Sequence, residues 1–148
     1  MSAPAPKSAL QRRSFYVAGR VGGGESDVQS VGAALVERGW DWSFDWTIGT
    51  PVAKPYLSHV SSNRPIATAM RDAAASSELV VLVWGDGILG ALLETGVALG
   101  HLDEHRIVAV IGADARQSIF WCMDGVHVFT DEASFLAFID DRAVTPGP

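Results

Sequence analysis

Leu79-Val-Val-Leu-Val-Trp-Gly-Asp-Gly-Ile-Leu-Gly-Ala-Leu-Leu-Glu-Thr-Gly-Val-Ala-Leu-Gly100 decides the fold. Leu79 to Trp84 is an unbroken apolar run, the pattern of a central parallel strand covered on both faces. Gly85 to Gly87 make a turn, and a helix is predicted from Gly90 to His101. This strand, turn and helix set Glu94 near a helix N-terminus at the carboxyl end of a buried strand. In open α/β sheets ligands bind at that edge. A lone carboxylate there calls for a reason, and nucleophilic or acid–base chemistry is one. A helix N-terminus favours the anion, so a strongly raised Glu94 pKa is not expected.

The flanking sequence repeats the same unit. Phe15 to Ala18 is a short apolar run, followed by the loop Gly19 to Gly24. Ser26-Asp-Val-Gln29 reads as a capping box. Val28, Val31, Leu35 and Val36 then carry a helix that Gly39 stops. Trp40 to Trp46 alternates, with Trp40, Trp42, Phe44 and Trp46 on one face, which predicts a strand. Ile48 to Asn63 reads as a long loop, and Pro65 to Ser77 as a helix. Ile107 to Ile111 and Val126 to Phe129 are the remaining strands. A final helix is predicted with Thr130 as its cap and Phe135, Leu136 and Ile139 inward. Alternation of this kind predicts an α/β fold: a single flavodoxin-like, doubly wound, five-stranded parallel sheet with helices on both faces.

Bulk properties narrow the function. The chain has 148 residues, 48% of them hydrophobic, with mean hydropathy +0.19. One domain over residues 14–142 is expected, between a disordered lead-in (1–13) and a tail (143–148). The net charge of −6 argues against nucleic acid as a partner. No apolar stretch approaches about 18 residues, so no membrane span is expected, and the pattern fits a cytoplasmic protein. Cys122 is the one cysteine, which leaves no internal disulfide. His59, His101, His105 and His127 show no metal spacing. No metal or cofactor is expected, and the absence of a Walker Gly-Lys-Ser/Thr excludes a P-loop enzyme.

The ends of the predicted strands converge on one rim. The first loop brings Gly19, Arg20, Gly22 and Gly23; the second brings Asp45 and Trp46; the third brings Asp86, Gly87 and Gly90, ahead of Glu94. The glycine loop can cradle an anion through its N–H groups or serve as a plain flexible loop. Trp46 can pack in the core or line a pocket for a flat ring. Asp72, on the helix before the central strand, is either a solvated helix residue or a group leaning over the cleft.

Taken together, these pieces resemble the nucleoside 2-deoxyribosyltransferase-like superfamily, over roughly Phe15 to Ile139. Phe15-Tyr-Val-Ala-Gly-Arg20 is similar to its first strand and substrate loop. Asp45-Trp-Thr47 is similar to a motif that closes the second strand in one branch. Asp72 with Glu78-Leu-Val-Val-Leu-Val resembles the Asp-bearing helix and third strand. Gly90-Ala-Leu-Leu-Glu-Thr-Gly96 resembles the Gly-x-x-x-Glu-x-Gly signature. Members commonly carry an Asp or Ser six residues before the Glu, where this chain has Ile88. One branch has a polar residue two before it, where this chain has Leu92.

The resemblance implies cleavage or transfer at the N-glycosidic bond of a nucleoside or nucleotide. Glu94 would attack the anomeric carbon, and the glycosyl ester would pass to another base or to water. Asp72 would protonate the leaving base by family position, with Asp86 or Asp45 as alternatives. The rim residues would hold the substrate. Members assemble as dimers or larger, which here would use Trp40/Trp42/Phe44 or Ile119-Phe-Trp121. A non-catalytic nucleotide-binding module and an NAD-cleaving glycohydrolase are the alternative readings on the same scaffold.

Overall fold

Short runs of branched and aromatic residues form the sheet. The computed structural model describes residues 13–49, 51–112 and 117–144. Apart from Arg13 and the end of the last helix, the expected lead-in and tail lie outside the described residues. β1 (Ser14–Ala18), β2 (Asp41–Trp42), β3 (Leu79–Val83), β4 (Ile107–Ile111) and β5 (Val126–Phe129) pair in the order β2-β1-β3-β4-β5. Every pairing is parallel, with Phe15 opposite Leu79 and Leu79 opposite Ile107. This is the flavodoxin-like doubly wound order. Nearly all of β1, β3 and β4 is buried, which is why these strands read as continuous apolar runs rather than alternating ones.

α1 (Glu25–Glu37) and α4 (Glu132–Val144) share one face. Ser30 donates to the Glu132 carboxylate at 3.0 Å, and Arg38 reaches Asp140 at 2.7 Å. α2 (Val60–Ser76) packs against α3 (Leu89–Gly100) on the other. Between β4 and β5 the described residues hold only a short 3-10 turn, Ile119–Cys122.

Four sequence expectations change. The predicted strand Trp40 to Trp46 pairs over only two residues. Asp41 and Ser43 donate their N–H groups to the Arg13 and Phe15 carbonyls, each at 2.8 Å. The chain then turns away, because the Asp45 carboxylate accepts from the Thr47 N–H at 3.0 Å and closes an Asx turn. The next carbonyl on that side of β1, Val17, receives the Trp46 indole N–H at 2.8 Å. A side chain thus completes the ladder where the backbone has left it. Trp46 is 6% exposed and belongs to the core.

The helix starts also differ. α1 opens at Glu25 with no side-chain cap bond, and Gln29 donates to Thr47 at 3.1 Å instead of closing a capping box on Ser26. α2 begins at Val60, ahead of Pro65. Asn63 accepts from the Ala53 N–H at 2.9 Å and donates to the Ala53 and Tyr56 carbonyls at 2.8 and 3.2 Å. One amide so ties the preceding segment to the helix and supports the turn before the proline. For α4 the cap is Asp131, not Thr130: its carboxylate accepts from the Ser134 N–H at 2.8 Å.

The aromatic face expected as an interface is largely used inside the fold. Trp42 lies 5.3 Å from the Phe15 ring and covers Gly32, where an added Cβ would stand 2.1 Å from the indole. Arg13 stacks 5.4 Å from the Trp40 ring centroid.

Candidate active site

β1 and α3 build the centre of the site. Tyr16, fully buried in β1, donates its hydroxyl to Glu94 Oε2 at 2.9 Å. Glu94 is the sixth residue of α3 and is half-buried. Burial pushes its carboxyl up to about 7, against the Tyr16 hydrogen bond, which favours the anion. This corrects the expectation that Glu94 is not strongly raised. The stabilisation offered by a helix N-terminus fades within its first turn, and Glu94 lies beyond that turn. Burial also raises the Tyr16 hydroxyl, and the Glu94 charge adds to it. The pair is therefore a proton-holding unit with one ionisable member near neutrality.

Tyr16 was not singled out in the sequence. Its signal was available: a tyrosine inside a buried central strand must find a partner for its hydroxyl. The partner, 78 residues away, is what a one-dimensional reading does not supply.

The first loop is more structural than a plain substrate cradle. Gly19 is buried, and an added Cβ would lie 2.5 Å from Val28 Cγ2, so the glycine lets β1 and α1 approach closely. Gly22 (φ 79°) and Gly23 aim their N–H groups at the Glu25 carboxylate, at 2.6 and 2.7 Å. The exposed Arg20 side chain lies beside Gly23, and its Nε would be 3.7 Å from a Cβ at Gly87. Arg20 thereby spans the loops after β1 and β3.

The carboxylates divide by position. Asp45 accepts both the N–H and the hydroxyl of Thr47, at 3.0 and 2.5 Å, and is committed to its turn. Asp86 is exposed in the turn after β3, with Gly87 beside it and Gly90 exposed in the first turn of α3. Asp72 is not brought to Glu94. It lies twelve positions into α2, roughly 18 Å along a helix rising about 1.5 Å per residue. That end of α2 descends to the opposite edge of the sheet, where Arg106, just ahead of β4, donates to the Ala75 carbonyl. Asp72 is exposed there and pairs with its neighbour Arg71 at 2.8 Å.

A cleft of about 340 Å³ opens at the rim beside the first loop, walled by Gly22, Glu25, Trp46, Thr47, Val52 and Lys54 among others. A second, mainly apolar cavity of about 620 Å³ lies between α3 and the 3-10 turn, lined by Leu92, Leu99, Phe120 and Trp121. Glu94 is not part of either wall. Ile88, six residues before Glu94, is 5% exposed and packs in the core. Among the described residues no group of three or more His, Cys, Asp or Glu side chains can hold a metal ion, and no helix is long and apolar enough to cross a membrane.

No family model matches the chain, and no curated protein matches it significantly. A solved structure does. The CMP N-glycosidase BcmB of Clostridium botulinum superposes with a TM-score of 0.56, over 86% of this chain and 98% of that one. The two sequences are 15% identical, so the likeness establishes a shared fold.

Proposed function

We propose that this protein cleaves the N-glycosidic bond of a nucleoside or nucleotide, with Glu94 as nucleophile. The observation that carries the reading is the Tyr16–Glu94 hydrogen bond, which fixes a half-buried carboxylate. Two further facts support it: the resemblance of Gly90 to Gly96 to the deoxyribosyltransferase signature, and the fold shared with a protein named as a CMP N-glycosidase.

In this reading a Glu94 oxygen forms a bond to the anomeric carbon as the carbon–nitrogen bond breaks. The departing base takes the electron pair and a proton. Asp86 supplies that proton, since Asp72 stands at the other end of α2 and Asp45 is held in its turn. Water or a second base then opens the glycosyl ester. Tyr16 holds the carboxylate in one orientation and stabilises it while it is ionised. Arg20, Gly22, Gly23, Gly87 and Gly90 bound the substrate, and Trp46 closes the floor of the cleft. The site acts without a metal or organic cofactor. Two or more copies assemble through the apolar surface of α3 and the 3-10 turn, where Leu89, Leu93 and Ile119 are 73%, 67% and 81% exposed.

The test is a base-release screen over nucleosides, nucleoside 5′-monophosphates and NAD, with intact-mass measurement of rapidly quenched protein. The reading expects free base from at least one nucleoside or nucleotide and a transient gain of one glycosyl group. Release of nicotinamide alone would move the activity to NAD cleavage. Ligand-induced stabilisation with no base from any substrate would make the protein a nucleotide-binding module.

A further inference from the structure

We infer that Glu25 fills the anion seat of the glycine loop and so reserves that end of the cleft for an unphosphorylated sugar, acting as a specificity-determining residue. The inference rests on the glycosidic reading above for what enters the cleft.

Gly22 and Gly23 present two successive backbone N–H groups to one point, the arrangement that otherwise seats a phosphate oxygen. Both donors are already engaged: Gly22 to Glu25 Oε1 at 2.6 Å and Gly23 to Oε2 at 2.7 Å. These two bonds hold the Glu25 carboxyl below the usual carboxylate range, with Lys54 adding to the effect. The same carboxylate and the same Lys54 line the 340 Å³ cleft. Lys54 also donates to the Val21 carbonyl at 3.5 Å and lies 5.6 Å from the Tyr56 ring centroid. The Arg20 guanidinium lies beside Gly23.

With Glu25 in place, this end of the cleft offers a bound anion whose charge offsets Lys54. A sugar phosphate entering there meets a like charge and finds the Gly22 and Gly23 amides taken. A sugar hydroxyl meets an acceptor instead. Without Glu25, the two amides, Lys54 and Arg20 would together form a phosphate site. The chain therefore carries the parts of an anion site and closes it with its own side chain.

The experiment titrates inorganic phosphate, at constant ionic strength, into the 15N-labelled wild type, Glu25→Ala and Glu25→Gln, following the Gly22 and Gly23 amide resonances. The wild-type amides should not saturate. In Glu25→Ala they should saturate with affinity about ten- to hundredfold tighter, the range expected for recovering hydrogen bonds to a charged group. Glu25→Gln, which keeps the shape and loses the charge, should fall between them and decides the matter if the alanine variant does not fold. Saturation of the wild-type amides as readily as the variants' would overturn the inference, and so would a folded variant that binds no phosphate. The ratio of kcat/KM for a nucleoside 5′-monophosphate over its nucleoside should rise by a similar factor in Glu25→Ala. The titration needs no turnover. A protein that releases no base at all removes the glycosidic reading while the phosphate result still decides whether Glu25 closes the seat. Base release from monophosphates that is indifferent to Glu25 keeps that reading and removes this one.

Discussion

Glu94 and Tyr16 meet from 78 positions apart, and the consequences of that meeting are open to measurement. The folded Glu94 carboxyl titrates near 7, above its ordinary 4.5. Between those values the folded state binds more protons than the unfolded chain, so this group's contribution to stability falls as pH rises through that window and is level above it. Glu94→Gln, which keeps the partner for Tyr16, should therefore gain stability over wild type with rising pH, reaching about 1 to 3 kcal/mol at pH 8. Paired urea titrations from pH 4 to 8 check this; a difference that stays flat with pH would mean the carboxyl is solvated. If Glu94 is the nucleophile, the limb of the kcat/KM profile that climbs with pH should be centred near 7, where the carboxyl ionises. Tyr16→Phe removes a bond that favours the anion. It should shift the climb to higher pH and lower the rate roughly ten- to hundredfold, the range for a hydrogen bond to a charged group. An unshifted profile in that variant would disconnect the tyrosine from the chemistry. The sequence pointed to Glu94 through local order, strand then turn then helix, and through the resemblance carried by Gly90 to Gly96. It did not point to Tyr16 as a partner, nor to burial outweighing the helix end, because both depend on how β1 and α3 pack.

The central strands and the edge strand β5 were legible, and the edge strand β2 was obscure in its length. β1, β3 and β4 were plain in their apolar runs because burial on both faces imposes one composition. β2 was not, because alternation records which faces the aromatics take and not how far the backbone pairs. Its termination depends on an Asx turn at Asp45 and on an indole that takes over the ladder. Edge packing makes its own prediction. Gly32→Ala, normally favourable in a helix, should here cost about 1–3 kcal/mol, because the new methyl meets the Trp42 ring. A denaturation midpoint equal to or above wild type would show that the indole moves aside freely. The early start of α2 was hidden by Pro65, which reads as a helix opening. The support for the extra turn is Asn63, and Asn63→Ala should destabilise by about 1–3 kcal/mol through three lost hydrogen bonds. Hydrogen exchange at the Ala53 amide should quicken first; unchanged exchange there would place the anchor elsewhere.

Across the whole molecule, the placing of the loops follows from one rule, that parallel strands with crossover helices gather their carboxyl ends on one rim. That rule placed the loops after β1 and β3 together, and Arg20 bridging towards Gly87 bears it out. It could not place Asp72, because a helix crosses the full depth of the sheet and position along it decides which edge a residue reaches. The glycine loop shows the same gap between pattern and packing: the pattern left an anion cradle and a plain flexible loop both open, and the fold has turned two of its amides onto Glu25. Assembly is also a property of this scale. Size-exclusion chromatography with light scattering should give a mass of at least two chains, and Leu93→Glu on the exposed stripe of α3 should halve it; a monomeric wild type would remove the assembly proposal. The most direct measurement is base release by wild type and by Glu94→Gln, run on a substrate that the wild type turns over, with matched melting profiles to certify both folds. The account predicts release by the wild type and a loss of at least about a thousandfold in the variant, the scale of removing a covalent nucleophile. Equal turnover by the two proteins would contradict it.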